Sequence, residues 1–289
     1  MPYCLSVLDQ SPIAEGSTAG QALRNSVDLA KLADELGYHR YWLAEHHGTP
    51  ALACNSPEVL IGPVAAATAR IRVGSGGVML PHYSPFKVAE NFAMLAGLFP
   101  GRIDLGIGRA AGTDRMTTFA LQRDRTRASP DDFTEQFDEL LGHLAGELPA
   151  EHTFARLAKR TACDARPWLL GSSPQSAIWA GERGLPYCFA DFINQGGADN
   201  AGLYRAQFEA SRWGTKPYVA VAVWAVAAET DEAGQDLAAS SRMMLDLLHR
   251  GQLIAVPSVE TAKAFLAEQP RARSPWRTVA ASLPAAPRP

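Results

Sequence analysis

The sequence predicts an α/β protein of the (β/α)8 TIM-barrel class, and three features of its 289 residues support this class. Short β-rich runs alternate with longer runs of helical period, which is typical of parallel strands joined by right-handed crossovers. Strands such as VAVAVWAVAA are apolar on both faces, which suits a sheet that is buried on both faces. The glycine fingerprint of an open dinucleotide-binding sheet does not follow the first strand, where LDQSP stands instead.

Each element has a local signal in the chain. Strands are predicted where apolar runs end in polar residues, at 4–9, 38–44, 71–80, 102–108, 168–171, 186–192 and 218–228. Helices are predicted where apolar residues recur at helical spacing, at 21–36, 57–69, 85–99, 134–144, 174–183, 200–212, 232–248 and 259–268. Ser56, Ser84 and Ser173 are predicted N-caps, each followed by a proline at the first helical position. The polar, Arg-rich stretch 113–131 is predicted to be a long mobile loop that serves as a lid.

The carboxyl-terminal part does not complete the barrel pattern. A full barrel needs an eighth strand and helix, but residues 270–289 contain five Pro, four Arg and no acidic residue. This composition predicts disorder, and only 277–283 could form a short strand. We therefore expect a barrel domain over residues 1–269, whose last βα unit is missing or degenerate, and a disordered tail over residues 270–289.

Composition argues against several classes of function. The chain has 27 basic and 30 acidic residues, so neither a nucleic-acid partner nor an acidic lipid surface is indicated. No apolar stretch reaches the roughly 20 residues that a membrane span needs, and the first residues do not resemble a secretory signal. The four Cys are widely spaced and form no CxxC motif, which favours reduced thiols in a cytoplasmic protein.

The most informative polar groups follow the predicted strands, where barrel enzymes carry their active sites. In Gly-Ser-Ser-Pro-Gln-Ser, Ser173 stands as an N-cap and Ser176 at the third helical position. Their hydroxyls and the free N–H groups of the helix could bind an anion, or Ser173 could simply cap the helix. Arg109, which follows the neighbouring strand, favours a phosphate site.

Two further constellations lie at the same predicted mouth. Gly76–Gly77 could let a flat ring lie on the backbone or adopt a non-prolyl cis bond, but small-residue packing inside the barrel explains them equally well. Glu45, His46 and His47 could bind a metal, although alternation along a strand would send the two imidazoles to opposite sides. We therefore expect no metal site, and we interpret His46 as a neutral imidazole near a reacting centre or as a structural core residue.

Taken together, these segments resemble the bacterial luciferase-like monooxygenases, a superfamily of flavin-dependent barrels. The resemblance is carried in order by LSVLDQSP, GYHRYWLAEHHG, RIRVGSGGVMLPHYSP, KVAENFAMLAGLFPGRIDLGIGRA, LLGSSPQSA and GLPYCFADF, and it covers about residues 3–250. Within the superfamily it is most similar to a subgroup that includes oxygenases of aromatic polyketides, one of whose activities is epoxidation. The tail 270–289 does not resemble the family.

The resemblance implies a two-component enzyme. Its cofactor would be reduced FMN, supplied by a separate flavin reductase, and O2 would react with it to give a C4a-hydroperoxide that oxygenates a small apolar substrate. His46 would be the active-site imidazole, and Gly76–Gly77 would form a cis peptide behind the flavin ring. The cofactor-binding residues implied in this way are Gly76, Gly77, Gly108, Arg109, Leu170, Ser172, Ser173 and Ser176.

Several interpretations stay open at this stage. Gln10, Tyr83 and Phe192 are candidate substrate contacts, although aromatic residues at strand ends are often part of the core. A flavin-binding protein without turnover and an F420-dependent oxidoreductase on the same fold are alternatives to the monooxygenase. We expect a homodimer whose interface uses the helices at 57–69 and 85–99.

Overall fold

Seven strands and ten α-helices follow one another in the part of the chain that the computed structural model describes, which is residues 3–109, 114–122, 125–126 and 131–269. The strands are β1 (Ser6–Asp9), β2 (Arg40–Leu43), β3 (Arg72–Met79), β4 (Ile103–Gly108), β5 (Arg166–Gly171), β6 (Tyr187–Ala190) and β7 (Val219–Ala222). The helices are α1 (Ala19–Glu35), α2 (Pro57–Ala67), α3 (Pro85–Leu98), α4 (Arg115–Leu121), α5 (Phe133–Ala145), α6 (Ala155–Ala158), α7 (Pro174–Glu182), α8 (Gly197–Ala206), α9 (Asp231–His249) and α10 (Val259–Glu268). A 3-10 turn, Leu80–His82, follows β3.

The seven strands form one parallel sheet in chain order, β1 to β7, and helices cover its outer face. This is a nearly closed TIM-like barrel that lacks one unit, so the predicted fold class is confirmed. Most predicted elements are found with shifted ends. The largest difference is at the last strand, since β7 ends at Ala222 whereas residues 218–228 were expected to be extended.

The barrel has two distinct cores because successive residues of each strand point to opposite faces of the sheet. On β2, Tyr41 and Leu43 pack in the large core between the sheet and the helices. Trp42 points the other way and packs with Trp168 and Cys188 in a smaller core inside the barrel. This inner core separates the two ends of the barrel from each other.

One side of the barrel is open within the described residues, because β1 pairs only with β2 and β7 pairs only with β6. At the carboxyl end of this gap, one isolated bridge pairs Val256 with the chain that follows β1. Val256, between α9 and α10, donates its N–H to Ile13 over 2.8 Å and accepts from Glu15 N–H over 2.7 Å. The described residues thus lack an eighth strand, and the candidate segment 277–283 and the rest of the expected tail lie outside them.

Two local predictions are wrong. The expected loop 113–131 contains a helix, α4, because Asp114 caps it by accepting hydrogen bonds from the N–H groups of Met116 and Thr117 at 2.8 and 3.0 Å. Residues 113, 123–124 and 127–130 of that stretch lie outside the described part. Ser56 and Ser84 precede their helices as predicted, but neither side chain makes a capping hydrogen bond.

None of the described helices is both long enough and apolar enough to cross a bilayer.

Candidate active site

The polar residues singled out from the sequence follow the carboxyl ends of neighbouring strands, which face the same side of a parallel barrel. Gln10 follows β1, His46 lies three residues beyond β2, Arg109 follows β4 and Ser172 follows β5. The turn that carries Gln10 is fixed by Asp9, which accepts hydrogen bonds from Ser11 N–H and from Tyr41 Oη, both at 2.7 Å.

Glu45 is the structural centre of this end of the barrel. Its side chain is fully buried and accepts hydrogen bonds from Met79 N–H at 3.0 Å and from Tyr83 Oη at 2.9 Å. His47 Nε2 lies 2.7 Å from the same carboxylate. Because these groups lie in the loop after β2, at the end of β3 and just after the 3-10 turn, Glu45 ties the ends of two strands together. Burial, and then the charge of Glu45, raise the pKa of Tyr83, so its phenol stays protonated as a donor.

His46 is held by its backbone, whereas one side-chain nitrogen is left unpaired. Its N–H donates to Cys54 O over 3.0 Å. The side-chain Nδ1 is buried and has no hydrogen-bond partner among the described residues. Burial, and secondarily the proximity of His47, lower the pKa of His46, so its imidazole is neutral at pH 7. A neutral imidazole with a free nitrogen can accept or donate one proton.

The peptide bond between Gly76 and Gly77 is cis, as the resemblance implies. Neither position has room for a side chain. A Cβ on Gly76 would lie 2.5 Å from Leu8 Cδ1, and one on Gly77 would lie 2.7 Å from Leu170 Cδ1 and 2.8 Å from Gly106 O. Packing inside the barrel therefore accounts for the missing side chains. Leu170, a predicted cofactor contact, lies directly against Gly77.

Gly108 differs from these two glycines. A Cβ there would lie 3.3 Å from the flexible side chain of Met79, so a small residue could be accommodated.

Ser173 begins α7 as predicted. Its extended backbone (φ −120°) and its Oγ, which accepts from Ser176 N–H over 3.4 Å, make it the N-cap. Ser176 is buried, and its hydroxyl points into the protein, where it donates to Ser173 O over 2.7 Å and lies 3.1 Å from Tyr187 Oη. The capping interpretation thus holds for Ser173. Ser172 is half-buried, and its carbonyl accepts from Asn194 Nδ2 over 2.9 Å.

Arg109 lies beside the same helix. Its guanidinium carbon is 5.7 Å from the ring centroid of Trp179, on α7. The guanidinium pairs with Asp131 at 2.9 Å, and both side chains are largely exposed. Such a surface pair contributes little stability, so an anion at the start of α7 could compete for this cation.

The candidate substrate residues occupy different environments. Phe192 stacks on Trp224 with their centroids 5.7 Å apart and their planes only 13° apart, which forms an aromatic pair beyond β6 and β7. Trp224 could not be recognised from the sequence as a site residue, because it lies within a run that is predicted to be a strand. Tyr83 directs its hydroxyl to Glu45, and Gln10 is half-buried next to β1.

Helix α4 lies over the loop that carries the two histidines. A Cβ on Gly48 would meet Thr117 Oγ1 at 2.5 Å and Asp114 Oδ2 at 3.3 Å. The described part of the stretch 113–131 therefore contacts the segment that follows His46 and His47. In the described residues there is no cluster of three or more His, Cys, Asp or Glu side chains with the geometry of a metal site.

Comparison with known proteins is consistent with this geometry. The sequence model of the luciferase-like monooxygenases matches residues 4–286. The chain belongs to this family. It is therefore an oxidoreductase, like its relatives. The match extends past residue 250, where the motif resemblance ends, and includes residues 270–286, so the expectation that the stretch 270–289 does not resemble the family is wrong.

One relative with a named activity is the N-acetyl-S-alkylcysteine monooxygenase of Bacillus subtilis. It is 42% identical over 265 residues, which are 91% of this chain and 79% of the relative. Among solved structures, apo-MsnO8 superposes with a TM-score of 0.83 at 39% identity, covering 91% of this chain and 77% of that one.

Two more distant structures share the fold alone. The oxygenating constituent of 3,6-diketocamphane monooxygenase from Pseudomonas putida, in complex with FMN, has a TM-score of 0.63 at 20% identity and covers 81% of this chain and 71% of that chain. An F420-dependent secondary alcohol dehydrogenase has a TM-score of 0.55 at 18% identity, with 82% and 74% covered.

Proposed function

We propose that the chain is the oxygenase of a two-component monooxygenase, which uses reduced FMN and O2 to oxygenate a small apolar substrate. The observation that carries this proposal is His46, a neutral imidazole whose buried Nδ1 has no partner among the described residues. Buried polar atoms are almost always paired in proteins, so an unpaired one at the barrel mouth favours a ligand or reactant there.

The residues at the mouth are compatible with FMN through their polar groups. The capped start of α7 offers a helix N-terminus to the phosphate, and Arg109 supplies a cation that pairs with the exposed carboxylate of Asp131. Ser172 and Ser173 also lie at the start of α7. The buried hydroxyl of Ser176 instead lies against Tyr187 Oη and supports the loop before α7 from inside the protein. The cis peptide at Gly76–Gly77, Leu170 beside Gly77, and Gly108, which pairs with Met79, would lie along the ring.

Reduced FMN supplies the electrons that activate O2 when it is bound. The protein's own contribution is to position groups, move one proton and exclude water. We assign the transfer of this proton to His46 Nδ1. Glu45 keeps the His46 side chain in place indirectly, because it fixes the neighbouring His47 and the end of β3. Helix α4, lying on Gly48, is the part of the expected lid that could shield this proton from solvent.

The stacked pair of Phe192 and Trp224 supports an apolar or aromatic substrate, with Tyr83 and Gln10 as further contacts. An aromatic polyketide, oxygenated by epoxidation, is the substrate class that the motif resemblance favours. A thioether is the second candidate, because a 42% identical relative is an N-acetyl-S-alkylcysteine monooxygenase. A panel of both classes, scored by mass spectrometry for a product that has gained one oxygen atom, would separate them.

His46→Ala tests the proposal most directly. We expect the variant to bind FMN as the parent does but to lose roughly 10²–10⁴-fold in the rate of oxygenation, the usual contribution of a general acid or base. A matched control is His152→Ala, which changes an imidazole far along the chain on the loop before α6. Unchanged oxygenation by His46→Ala would refute the role assigned to His46.

The two alternatives give different results in the same assays. A flavin-binding protein without turnover would bind FMN and yield hydrogen peroxide but no oxygenated product with any substrate of the panel. An F420-dependent oxidoreductase would bind F420 more tightly than FMN and would transfer hydride without consuming O2.

The flavin reductase, the homodimer and the cytoplasmic location are also proposals. Val59 on α2 and Met94 and Leu98 on α3 expose 67–70% of their surface, and an apolar face of this kind is typical of a subunit interface. Light scattering of the full chain would measure the oligomeric state. All four cysteines are free thiols, which is consistent with a reducing compartment.

A further inference from the structure

Three arginines and one aspartate form a cluster at the amino-terminal end of the barrel, opposite the end that carries the candidate active site and in contact with the inner core. Arg40 Nε lies 2.9 Å from Asp104 Oδ2, and Arg72 Nη2 lies 2.6 Å from Asp104 Oδ1. Arg166 follows on β5, where it pairs in register with Asp104 of β4. The cluster therefore spans β2, β3, β4 and β5 from inside the sheet.

The charges of this cluster do not balance. Asp104 is fully buried and Arg40 nearly so, and the carboxylate pairs with the guanidinium groups of Arg40 and Arg72 but not with that of Arg166. Burial, and then the charge of Arg40, lower the pKa of Arg166. Burial and Arg40 lower the pKa of His39 in the same way. Buried charges are normally paired, because removing an unpaired ion from water costs several kcal/mol. Within the described residues, Asp104 is thus the one carboxylate that pairs with these arginines, since Asp164 at the same end accepts instead from Gly101 N–H at 2.8 Å.

The hydrogen-bond donors of the cluster are also incompletely used. Arg166 makes no ion pair among the described residues and lies instead over two rings, 5.7 Å from the Trp168 centroid and 5.4 Å from that of Tyr218. Trp168 is fully buried, and its Nε1 has no hydrogen-bond acceptor in the described part of the chain. Arg40 lies over the same two rings and donates to Tyr218 Oη over 3.3 Å. Within the described residues, the unused donors are therefore those of Arg166 and of the Trp168 indole, and both side chains lie against the Tyr218 ring.

The unused donors of Arg166 and Trp168 lie near the open side of the barrel, because both side chains contact Tyr218. Tyr218 immediately precedes β7, which has no partner on its outer edge among the described residues. The neighbouring interior residues Ala220 and Ala222 are only half-buried, so this region is accessible from the gap. Residues 270–289 contain four Arg and no Asp or Glu, so side chains of that stretch would add to the positive charge rather than neutralise it.

We propose that this cluster is a carboxylate-binding site, in which Arg166 and Trp168 bind the anion while Arg40 and Arg72, already paired with Asp104, add positive charge. A planar carboxylate matches the guanidinium fork of Arg166 and could also accept from the indole of Trp168. The carboxylate can come from a free small acid or from a Glu side chain on an extended peptide that pairs with the open strand edge. The site is separate from the flavin mouth, so it goes beyond the proposed monooxygenase activity.

The first test compares sodium acetate with sodium chloride at matched ionic strength. We expect acetate to raise the melting temperature saturably above the value in chloride. In nitrogen-15 spectra, acetate should shift a single indole N–H resonance, which the variant Trp168→Phe identifies by its loss. The Arg166→Gln variant should bind acetate at least about 10-fold more weakly, because the charge-assisted hydrogen bonds of the guanidinium to the carboxylate are lost.

Arg212→Gln is the matched control, because Arg212 forms an exposed pair with Glu147 at 3.5 Å and its loss changes the net charge equally. The second test uses a blocked hexapeptide of alternating Val and Thr that carries one Glu, together with its Gln twin. Tighter binding of the Glu peptide than of acetate identifies a peptide source, and binding of acetate alone identifies a free acid.

The proposal is overturned if neither probe shifts the Trp168 resonance, or if Arg166→Gln and Arg212→Gln bind acetate equally well. Since the resonance is measured on the unmodified chain, the test remains decisive if Arg166→Gln does not fold. FMN binding should be the same with and without acetate. A failure of the carboxylate proposal can therefore be told apart from a failure of the proposed monooxygenase function, which is tested by FMN binding and oxygenation.

Discussion

Glu45 and Asp104 are both fully buried, but they lie at opposite ends of the barrel and are stabilised by different kinds of partner. Glu45 is surrounded by a backbone N–H, a phenol and an imidazole nitrogen. Asp104 is surrounded by two guanidinium groups and by Trp42 Nε1 at 3.2 Å. The first carboxylate is therefore held mainly by directional hydrogen bonds, whereas the second is held mainly by opposite charge.

This difference indicates a division of roles between the two ends. Hydrogen bonds with well-defined geometry fix the positions of the strand ends around Glu45, which suits a site where a proton must be placed accurately. At the Asp104 end, the cations outnumber the carboxylate, so that end is under-neutralised and its stability depends on charge. Substitutions at the two ends should consequently differ in size and in their dependence on pH.

The largest effect is expected from Asp104→Asn, which breaks the charged end. The substitution leaves Arg40 buried without a carboxylate, and breaking a buried pair typically costs roughly 3–5 kcal/mol. Urea unfolding at neutral pH would measure the loss in the free energy of unfolding. Asp28→Asn is the control, because Asp28 pairs with Lys31 on the surface, where a pair contributes about 0–1 kcal/mol. If both variants lost the same free energy of unfolding, the charge of Asp104 would not be needed to neutralise the buried arginines.

Glu45→Gln is expected to have the next largest effect. An amide keeps the shape but offers one oxygen in place of two, so one of the donors to Glu45 loses its acceptor, at roughly 1–3 kcal/mol. Glu58→Gln is a matched control on α2. Burial raises the pKa of Glu58 and its Oε2 has no partner among the described residues, so a neutral amide there should be tolerated within about 1 kcal/mol. Similar losses in both variants would contradict the structural role of Glu45.

The pH dependence of stability sharpens the comparison at His46. Its pKa in the folded protein is lowered from the ordinary 6.5, so the neutral form stabilises the fold above that pH. This contribution should be lost as the pH falls below about 6.5 towards the folded pKa. His39 and His143 have lowered pKa values as well, so the effect must be isolated as a difference. Unfolding of His46→Gln should depend less steeply on pH than that of the unmodified chain, and parallel curves would exclude a buried neutral His46.

The order of strands in the barrel could be predicted from the sequence because strand–helix alternation leaves few topologies for parallel strands. The ends of strands could not be predicted as well. Residues 223–228 continue the apolar alternation of β7, yet Val223 is 58% exposed and Trp224 turns to stack on Phe192. Local pattern contains no information on where a neighbouring strand stops, and that decides where pairing ends.

Within the candidate site, the sequence indicated the residues whose signal is local. The cap at Ser173 depends on its own backbone and on Ser176, three positions away. The role of Glu45 was not predictable, since two of its donors come from 34 and 38 residues away. The charged cluster at Asp104 is likewise assembled from four strands, so the fold alone brings its members together.

The smallest effect on stability is expected at the helix caps, where Ser173 makes a capping hydrogen bond and Ser84 does not. Ser173→Ala removes the Oγ that accepts from Ser176 N–H, and losing a serine cap costs about 1 kcal/mol. Ser84 also precedes a helix that starts with proline, but its side chain makes no capping bond, so Ser84→Ala should change stability by less than about 0.5 kcal/mol.

Because Ser173 stands at the start of α7, its loss should also weaken FMN binding more than riboflavin binding if the phosphate lies there. Equal stability losses at Ser173 and Ser84 would contradict the cap, whereas equal weakening of both flavins would leave the cap intact and move the phosphate elsewhere.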